Sequence, residues 1–501
     1  MLQLRTKLFD VEQGQNEVAM NYTKAIELGL TLYDRMHLKL NGKHAVAILD
    51  FAHEELAEDE IGLFAEVSKI LDAKAGDVIS VEPLQRPLSL DYIKKKLDGK
   101  ILSQKEISAI ISDLMHERLS PTELAAFISA IYINGLAMDE TIALTNAISE
   151  SGDQLKVNGV PVVSMHSIGG VAGDRVTMLI VPIMASLGLK IPKTAARAIS
   201  SASGTADAME VLCPVALSVP LIENAVEKTN GCIVWGGAVR LASADDKLIK
   251  IRNPLRLDPK SLLLSSILAK KKAEGAKFVL IDIPIGKGAK IERIEEGRAL
   301  ARDFESLGLS LGMQVRCLIS DGSSPLSNGI GPALEAKEIL ATFENNEHNM
   351  LFEKACQMCG ILLHMVKGLS QQEVYEMAMQ QMNSGKAFLK FKEIIAAQGG
   401  NPTIQSKDVK IGDFRGKVFS DERGKVSHID NVAISKICRL LGAPADKKAG
   451  MILKVKKGEN VEKGDEIAEL VASSKQKIDF AMQNLHKAQL IEVEKIIIDL
   501  V

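Results

Sequence analysis

A chain of 501 residues exceeds what one hydrophobic core sustains and implies three or four domains. Its 46% hydrophobic and 25% charged content is that of an ordinary globular protein, while a net charge of −3 and 4% aromatic residues supply neither the basic footprint nor the stacking platforms of a nucleic-acid binder. The N-terminus lacks an apolar run of signal length, and the most apolar uncharged stretch, residues 176–189, is too short for a membrane span and is broken by Pro182 and Gly188, so a cytoplasmic protein with no membrane partner is expected.

Residues 1–86 carry short alternating apolar runs (2–9, 44–49, 78–81) with a turn near Lys74-Ala75-Gly76-Asp77, which predicts a small β-rich accessory domain. Residues 87–158 change to helical periodicity. Ser103 with Glu106 forms a capping box ahead of Ile107, Ile110, Ile111 and Leu114, and Ser120-Pro121-Thr122-Glu123 forms another with proline at the first helical position. This helical lobe is expected to be joined by a return segment over about 243–273. From 159 to 410 short strands alternate with helices (160–165, 190–192, 232–235, 278–283, 314–319), the pattern of a mainly parallel sheet with ligands at its strand ends. After the breaker cluster Gly399-Gly400-Asn401-Pro402, residues 411–501 read as an α+β domain. Its run Met451 to Val455 with Lys457-Gly458 and Lys463-Gly464-Asp465 suggests the hairpins of biotinyl carriers, though without a presenting lysine between methionines. Cys356 and Cys359 form a Cys-x-x-Cys without a second pair at metal spacing, which reads as packed thiols and no metal site.

Two strand-loop-helix turns carry the chemistry. The first is Met165-His166-Ser167-Ile168-Gly169-Gly170-Val171-Ala172-Gly173-Asp174-Arg175; the second is Arg197-Ala198-Ile199-Ser200-Ser201-Ala202-Ser203-Gly204-Thr205. Free N–H groups where a strand hands over to a helix bind phosphate, glycines admit a close approach, and the hydroxyls add donors. Neither turn is a Walker A or a dinucleotide fingerprint. Ser266 and Lys270 stand four apart on a leucine-rich helix, so both project from one face and can hold a small polar heterocycle at two points. Asp258 precedes Pro259 at the start of that helix, where an aspartate is also a good N-cap. Asp245-Asp246-Lys247 reads as a solvated charge cluster, and Trp235 as core packing beside the turn Gly236-Gly237.

At these residues the chain resembles the thymidine phosphorylase superfamily, and most closely its long branch of AMP phosphorylases and long-form bacterial thymidine phosphorylases. The stretches that carry the resemblance are His166 to Val171, Ile191-Pro192-Lys193-Thr194 running into Arg197-Ala198-Ile199, Ser203 to Asp207, Val234 to Ala238, Ser266 to Lys271, and Asp282 to Gly288. The likeness covers essentially the whole chain. It implies an α/β fold of the nucleoside phosphorylase and phosphoribosyltransferase kind, with a helical lobe and a mainly parallel α/β domain, acting on substrate in a cleft between the two.

The implied reaction is reversible phosphorolysis: inorganic phosphate attacks the anomeric carbon of a nucleoside or a nucleoside 5′-monophosphate, giving free base and a pentose 1-phosphate. Positive charge builds on the sugar in such a cleavage, so an anchored phosphate dianion is both nucleophile and counter-charge. By the resemblance, Ser167, Gly170, Ser201 and Thr205 hold phosphate, with Arg197 and Ser200 in the same turn. His166 sits beside base and sugar, Ser266, Lys270 and Lys290 bind substrate, and Asp258 is a proton donor. Phosphate is a co-substrate, no cofactor or metal is needed, and a homo-oligomer of two or more chains is expected. Two positions depart from relatives: Met165 stands where short-form pyrimidine phosphorylases carry lysine, as in the long branch, and Ala196 replaces a hydroxyl residue usual in AMP phosphorylases. Rival readings are a magnesium-dependent phosphoribosyltransferase of the anthranilate type, for which Asp174 is the only acidic residue near the glycine turn, and a carrier or assembly protein.

Overall fold

A computed structural model describes residues 2–198, 201–485 and 488–494. The chain divides into two compact units, Met1–Gly152 with Ala242–Ala269, and Asp153–Leu241 with Lys270–Val501.

In the first unit, strands β1 (Leu2–Leu8), β2 (Glu17–Asn21), β3 (Arg35–Leu40), β4 (Lys43–Ala52), β5 (Glu60–Leu63) and β6 (Val78–Leu84) close a barrel in the order β1-β5-β2-β4-β3-β6. Its interior takes alternate side chains, among them Leu4, Val18, Met20, Leu38, Ile61 and Val81, each almost wholly buried. The helices Ser89–Leu97, Gln104–Met115, Pro121–Asn134 and Met138–Glu150 pack with Ser243–Leu255 around Ile110, Phe127, Leu144 and Leu248. Both capping boxes form: the hydroxyls of Ser103 and Ser120 accept from the Glu106 and Glu123 amides, and each glutamate accepts the cap residue's own N–H in return. Among these helices Lys96 donates to both oxygens of Glu140 at 2.8 and 2.9 Å, and the pair is buried.

The second unit is built on parallel strands β7 (Val163–Ser167), β8 (Ile191–Ala195), β9 (Gly231–Trp235), β10 (Phe278–Ile285) and β11 (Gln314–Asp321). The ladders β11-β10-β7 and β8-β9 are joined by the parallel bridge Val162↔Lys190, giving the order β11-β10-β7-β8-β9. Strand β10 is an unbroken apolar run save Asp282, as suits a strand covered on both faces. The strand expected over 190–192 instead runs on through Thr194 and Ala195, because every residue from Ile191 to Ala195 finds a partner in β9. Helices Thr177–Ser186, Met350–Lys367 and Lys386–Ala397 contribute to one large core, in which Cys356 and Cys359 are fully buried; burial pushes the Cys356 thiol up to about 12.

The C-terminal segment forms a sheet from Phe414–Phe419, Gly450–Leu453 and Glu466–Ala472, to which Gly329–Ile330 adds a short strand from the preceding domain. The core of this C-terminal part includes Ala172 of the first glycine turn and Ala202 of the second. The hairpin likened to a carrier arm is anchored, since Lys457 donates to Ser323 Oγ at 3.0 Å. Among the described residues no helix is long and apolar enough to cross a membrane.

Candidate active site

The first turn leaves the sheet where β7 ends at His166 and Ser167. Ser167 lies opposite Asp282 of β10, and the Ile168 amide donates to the Asp282 carbonyl at 3.0 Å. Gly169 has φ +86° with open space where a Cβ would stand. Gly170 has φ +100°, and a Cβ there would come within 2.6 Å of the Lys290 amide nitrogen. The second glycine is therefore required by the approach of the 286–290 turn as well as by any ligand. The rest of the turn is pinned from outside. Asn431 accepts the Ala172 N–H at 2.9 Å and donates to the Gly322 carbonyl at 3.1 Å, while Arg175 donates to Glu335 at 2.6 Å and to the Ser203 carbonyl of the second turn. One group stands out in this framework: the buried hydroxyl of Ser167 has no hydrogen-bond partner among the described residues.

The two acids closest to the turn are already neutralised. Lys354 donates to Asp174 at 2.9 Å and to Asp282 at 2.8 Å, and Ser320 donates to the other Asp282 oxygen at 2.6 Å. Burial alone would lower the Lys354 ammonium, but the two carboxylates outweigh it and raise it to about 12. Asp174 is thus committed to a lysine and is poorly placed to hold a magnesium ion.

The second turn satisfies most of its own polar groups. Asp207 accepts the amides of Ala198 and Gly204 at 2.8 and 3.0 Å through one oxygen and Lys447 at 3.0 Å through the other. Arg197, expected to hold phosphate, has its guanidinium over the Trp235 ring, 4.6 Å from the centroid, and paired with Glu210 and Asp207. An anion drawn to Arg197 would meet those two carboxylates. Arg197 and Lys447 hold the Glu210 carboxyl down to about 2 against the opposing effect of burial. Ser201 donates to the Ser203 carbonyl at 3.1 Å, and Thr205 opens the short helix Thr205–Met209 half-buried. Ser200 lies outside the described residues.

Behind His166 lies a buried polar cluster that spacing along the chain did not reveal. Lys271 donates to both oxygens of Glu274 at 2.7 and 2.8 Å, and Glu274 also accepts from Ser164 at 2.8 Å and from the Thr194 hydroxyl. Lys193 donates to the Thr194 carbonyl and neighbours Lys271. Burial, followed by the positive charges of Lys193, Lys271, Lys270 and Lys290, holds the His166 imidazole well below its usual value near 6.5, so the ring is neutral at physiological pH. The His166 ring makes no hydrogen bond to any described residue, which leaves both ring nitrogens available to a ligand.

The remaining expected residues lie along the segment that begins in the first unit. On the helix Lys260–Ala273, Ser266 donates to Asp245 at 2.7 Å, and both are buried. Asp245 is therefore not part of a solvated cluster; its partner stands 21 residues away, beyond the reach of local pattern. With its proton committed, the Ser266 oxygen presents its lone pairs as an acceptor. Asp258 accepts from Arg252 at 2.8 Å. Lys270 lies one turn beyond Ser266, half-buried, and Lys290 is exposed at the end of the turn that meets Gly170.

The helical bundle domain of the Glycosyl transferase family matches residues 90–152, its a/b domain matches 159–388, and the pyrimidine nucleoside phosphorylase C-terminal domain matches 425–492. The chain is 42% identical over 484 residues to an AMP phosphorylase of Methanococcoides burtonii, covering 96% of each chain. It is 43% identical over 495 residues to that of Methanosarcina mazei (99% of this chain, 97% of the relative) and 41% identical over 498 residues to that of Pyrococcus furiosus (99% of both). Among solved structures, the anthranilate phosphoribosyltransferase of Thermus thermophilus superposes with a TM-score of 0.51 at 19% identity, covering 62% of this chain and 99% of that one, a likeness of fold.

Proposed function

This chain belongs to the thymidine and AMP phosphorylase superfamily of pentosyltransferases, and from that membership we propose that it phosphorolyses a nucleoside 5′-monophosphate of the AMP type, releasing free base and a pentose 1,5-bisphosphate. The observation that carries the proposal is the partnerless Ser167 hydroxyl at the end of β7, beside a neutral imidazole and in front of buried cations. A dianion there satisfies the hydroxyl and meets the positive field.

In this reading Ser167, the Gly170 turn, Ser201 and Thr205 hold the attacking phosphate, with Ser200 a further donor. His166, uncharged, orients sugar and base by hydrogen bonding rather than by adding positive charge. Ser266 accepts from the base while Lys270 and Lys290 neutralise charge on the substrate. Asp258, released from Arg252 and protonated from solvent, delivers that proton to the base as it leaves. Phosphate positioned in line with the anomeric carbon stabilises the oxocarbenium-like sugar as it forms. No metal or organic cofactor takes part, the setting is the cytoplasm, and the working form is a homo-oligomer.

The test is phosphate-dependent release of free base from a panel of nucleosides and mononucleotides, run in chelator. Release from AMP in preference to thymidine is the expected result. Preference for thymidine would move the enzyme to the nucleoside side of the superfamily, and no release from any substrate would end the proposal. Turnover in chelator also separates this reaction from magnesium-dependent transfer of pyrophosphorylated ribose.

A further inference from the structure

The two buried ammonium groups behind His166 are not matched by their counter-charge. Lys193 and Lys271 are 4% and 2% exposed, yet among the described residues Glu274 is the only carboxylate hydrogen-bonded to either, and both its oxygens accept from Lys271. Lys193 is left with the Thr194 carbonyl. Two buried cations sharing one anion is costly in isolation, and a ligand anion relieves it. Lys193 acts electrostatically on His166, the residue before the Ser167 hydroxyl. The parallel bridge Val162↔Lys190, continued three residues toward the strand ends, sets Lys193 beside Met165, one strand away from the His166-Ser167 terminus.

We propose that Lys193 is a positioning residue for the anion: the oxyanion held at Ser167 keeps the Lys193 ammonium charged, so phosphate and a proton are taken up together. This rests on the phosphate site of the proposed function. In the empty protein, burial and then the neighbouring Lys271 bring Lys193 down to about 7 despite Glu274, so a substantial share of it is the neutral amine near neutral pH. When the dianion arrives, the amine takes a proton from solvent and becomes the ammonium; no other bond changes.

The groups around Lys193 leave few rivals for that proton. Strand β7 presents His166 and β9 presents Cys232, whose thiol is pushed far up by burial. The helix Val219–Thr229 carries Glu227, taken by Lys190 at 2.7 Å, Glu223, which accepts the Lys156 amide, and Lys228; the helix Thr177–Ser186 carries no titratable side chain. The last turn of the helix Lys260–Ala273 adds Lys270 and Lys271, and Glu274 follows it directly.

The experiment is calorimetric titration of the full chain with sulfate, a dianion that does not itself titrate near neutrality, at pH 8 in two buffers of different ionisation enthalpy. Wild type should bind with a heat that changes with buffer, corresponding to uptake of up to about one proton per site. Lys193→Met should lose that dependence and bind sulfate about tenfold more weakly. Lys193→Arg, always charged, should bind without proton uptake, and its binding shows that the fold is intact. His166→Gln should retain the uptake. Wild-type binding with no buffer dependence, uptake that persists in Lys193→Met, or uptake that disappears in His166→Gln would each overturn the proposal. Such a result leaves phosphorolysis standing if wild type still releases base with phosphate, whereas absence of turnover removes that reading whatever sulfate shows.

Discussion

The two glycine- and serine-rich turns look alike as strings of residues and differ as objects. The first is held from outside, by Asn431, by Glu335 through Arg175 and by the 286–290 turn, and its own hydroxyl at Ser167 has no partner among the described residues. The second is held from inside, with Asp207 bridging its ends and Arg197 closed onto Glu210. Hydroxyls and glycines thus mark places where backbone must be satisfied; whether a ligand or the protein satisfies it depends on partners remote in sequence.

Removing the inner clasp tests this contrast most severely. Asp207→Ala strands the Ala198 and Gly204 amides and leaves Lys447 to Glu210 alone, and should cost about 3 kcal/mol in urea unfolding, with loss of turnover. His166→Ala should leave stability nearly unchanged and slow turnover about 100-fold, because its ring bonds to no described residue and its work is on the substrate. Asn431→Ala removes an outer support and should cost about 1.5 kcal/mol in stability while raising the KM for phosphate more than that for nucleotide. Ser167→Ala should raise the phosphate KM about tenfold with a Tm equal to or above wild type; a lowered Tm would mean the hydroxyl has a structural partner after all. The smallest effect belongs to Glu210. Its folded value near 2 lies below its usual 4.5, so its contribution is present above pH 4.5 and is lost as pH falls toward 2. The Tm difference between wild type and Glu210→Gln should shrink over that interval and stay constant above it.

Legibility in the sequence followed the distance between partners. The capping boxes at Ser103 and Ser120 are three-residue signals and formed as expected. The alternation of strands and helices revealed the parallel sheet, although β8 runs three residues beyond Pro192 because its end is decided by pairing with β9. The apolar run over 160–165 located His166 and Ser167 together at a strand terminus. Asp245 was missed because its bond to Ser266 crosses a turn and most of two helices, and the pairing of Arg197 was not legible because Glu210 lies on the far side of its loop. Lys193 and Glu274 belong to different strands and helices and share no local pattern; an apolar strand carrying a lone lysine was the one available signal.

The closed ring of β1 to β6 bears on how the N-terminal domain meets other molecules. All six strands have neighbours on both sides, so none is an edge strand on which another chain could be templated along its whole length. Whatever recognises it must read side chains. Selectivity at that surface is accordingly free to change one residue at a time, without disturbing the hydrogen-bonded framework beneath.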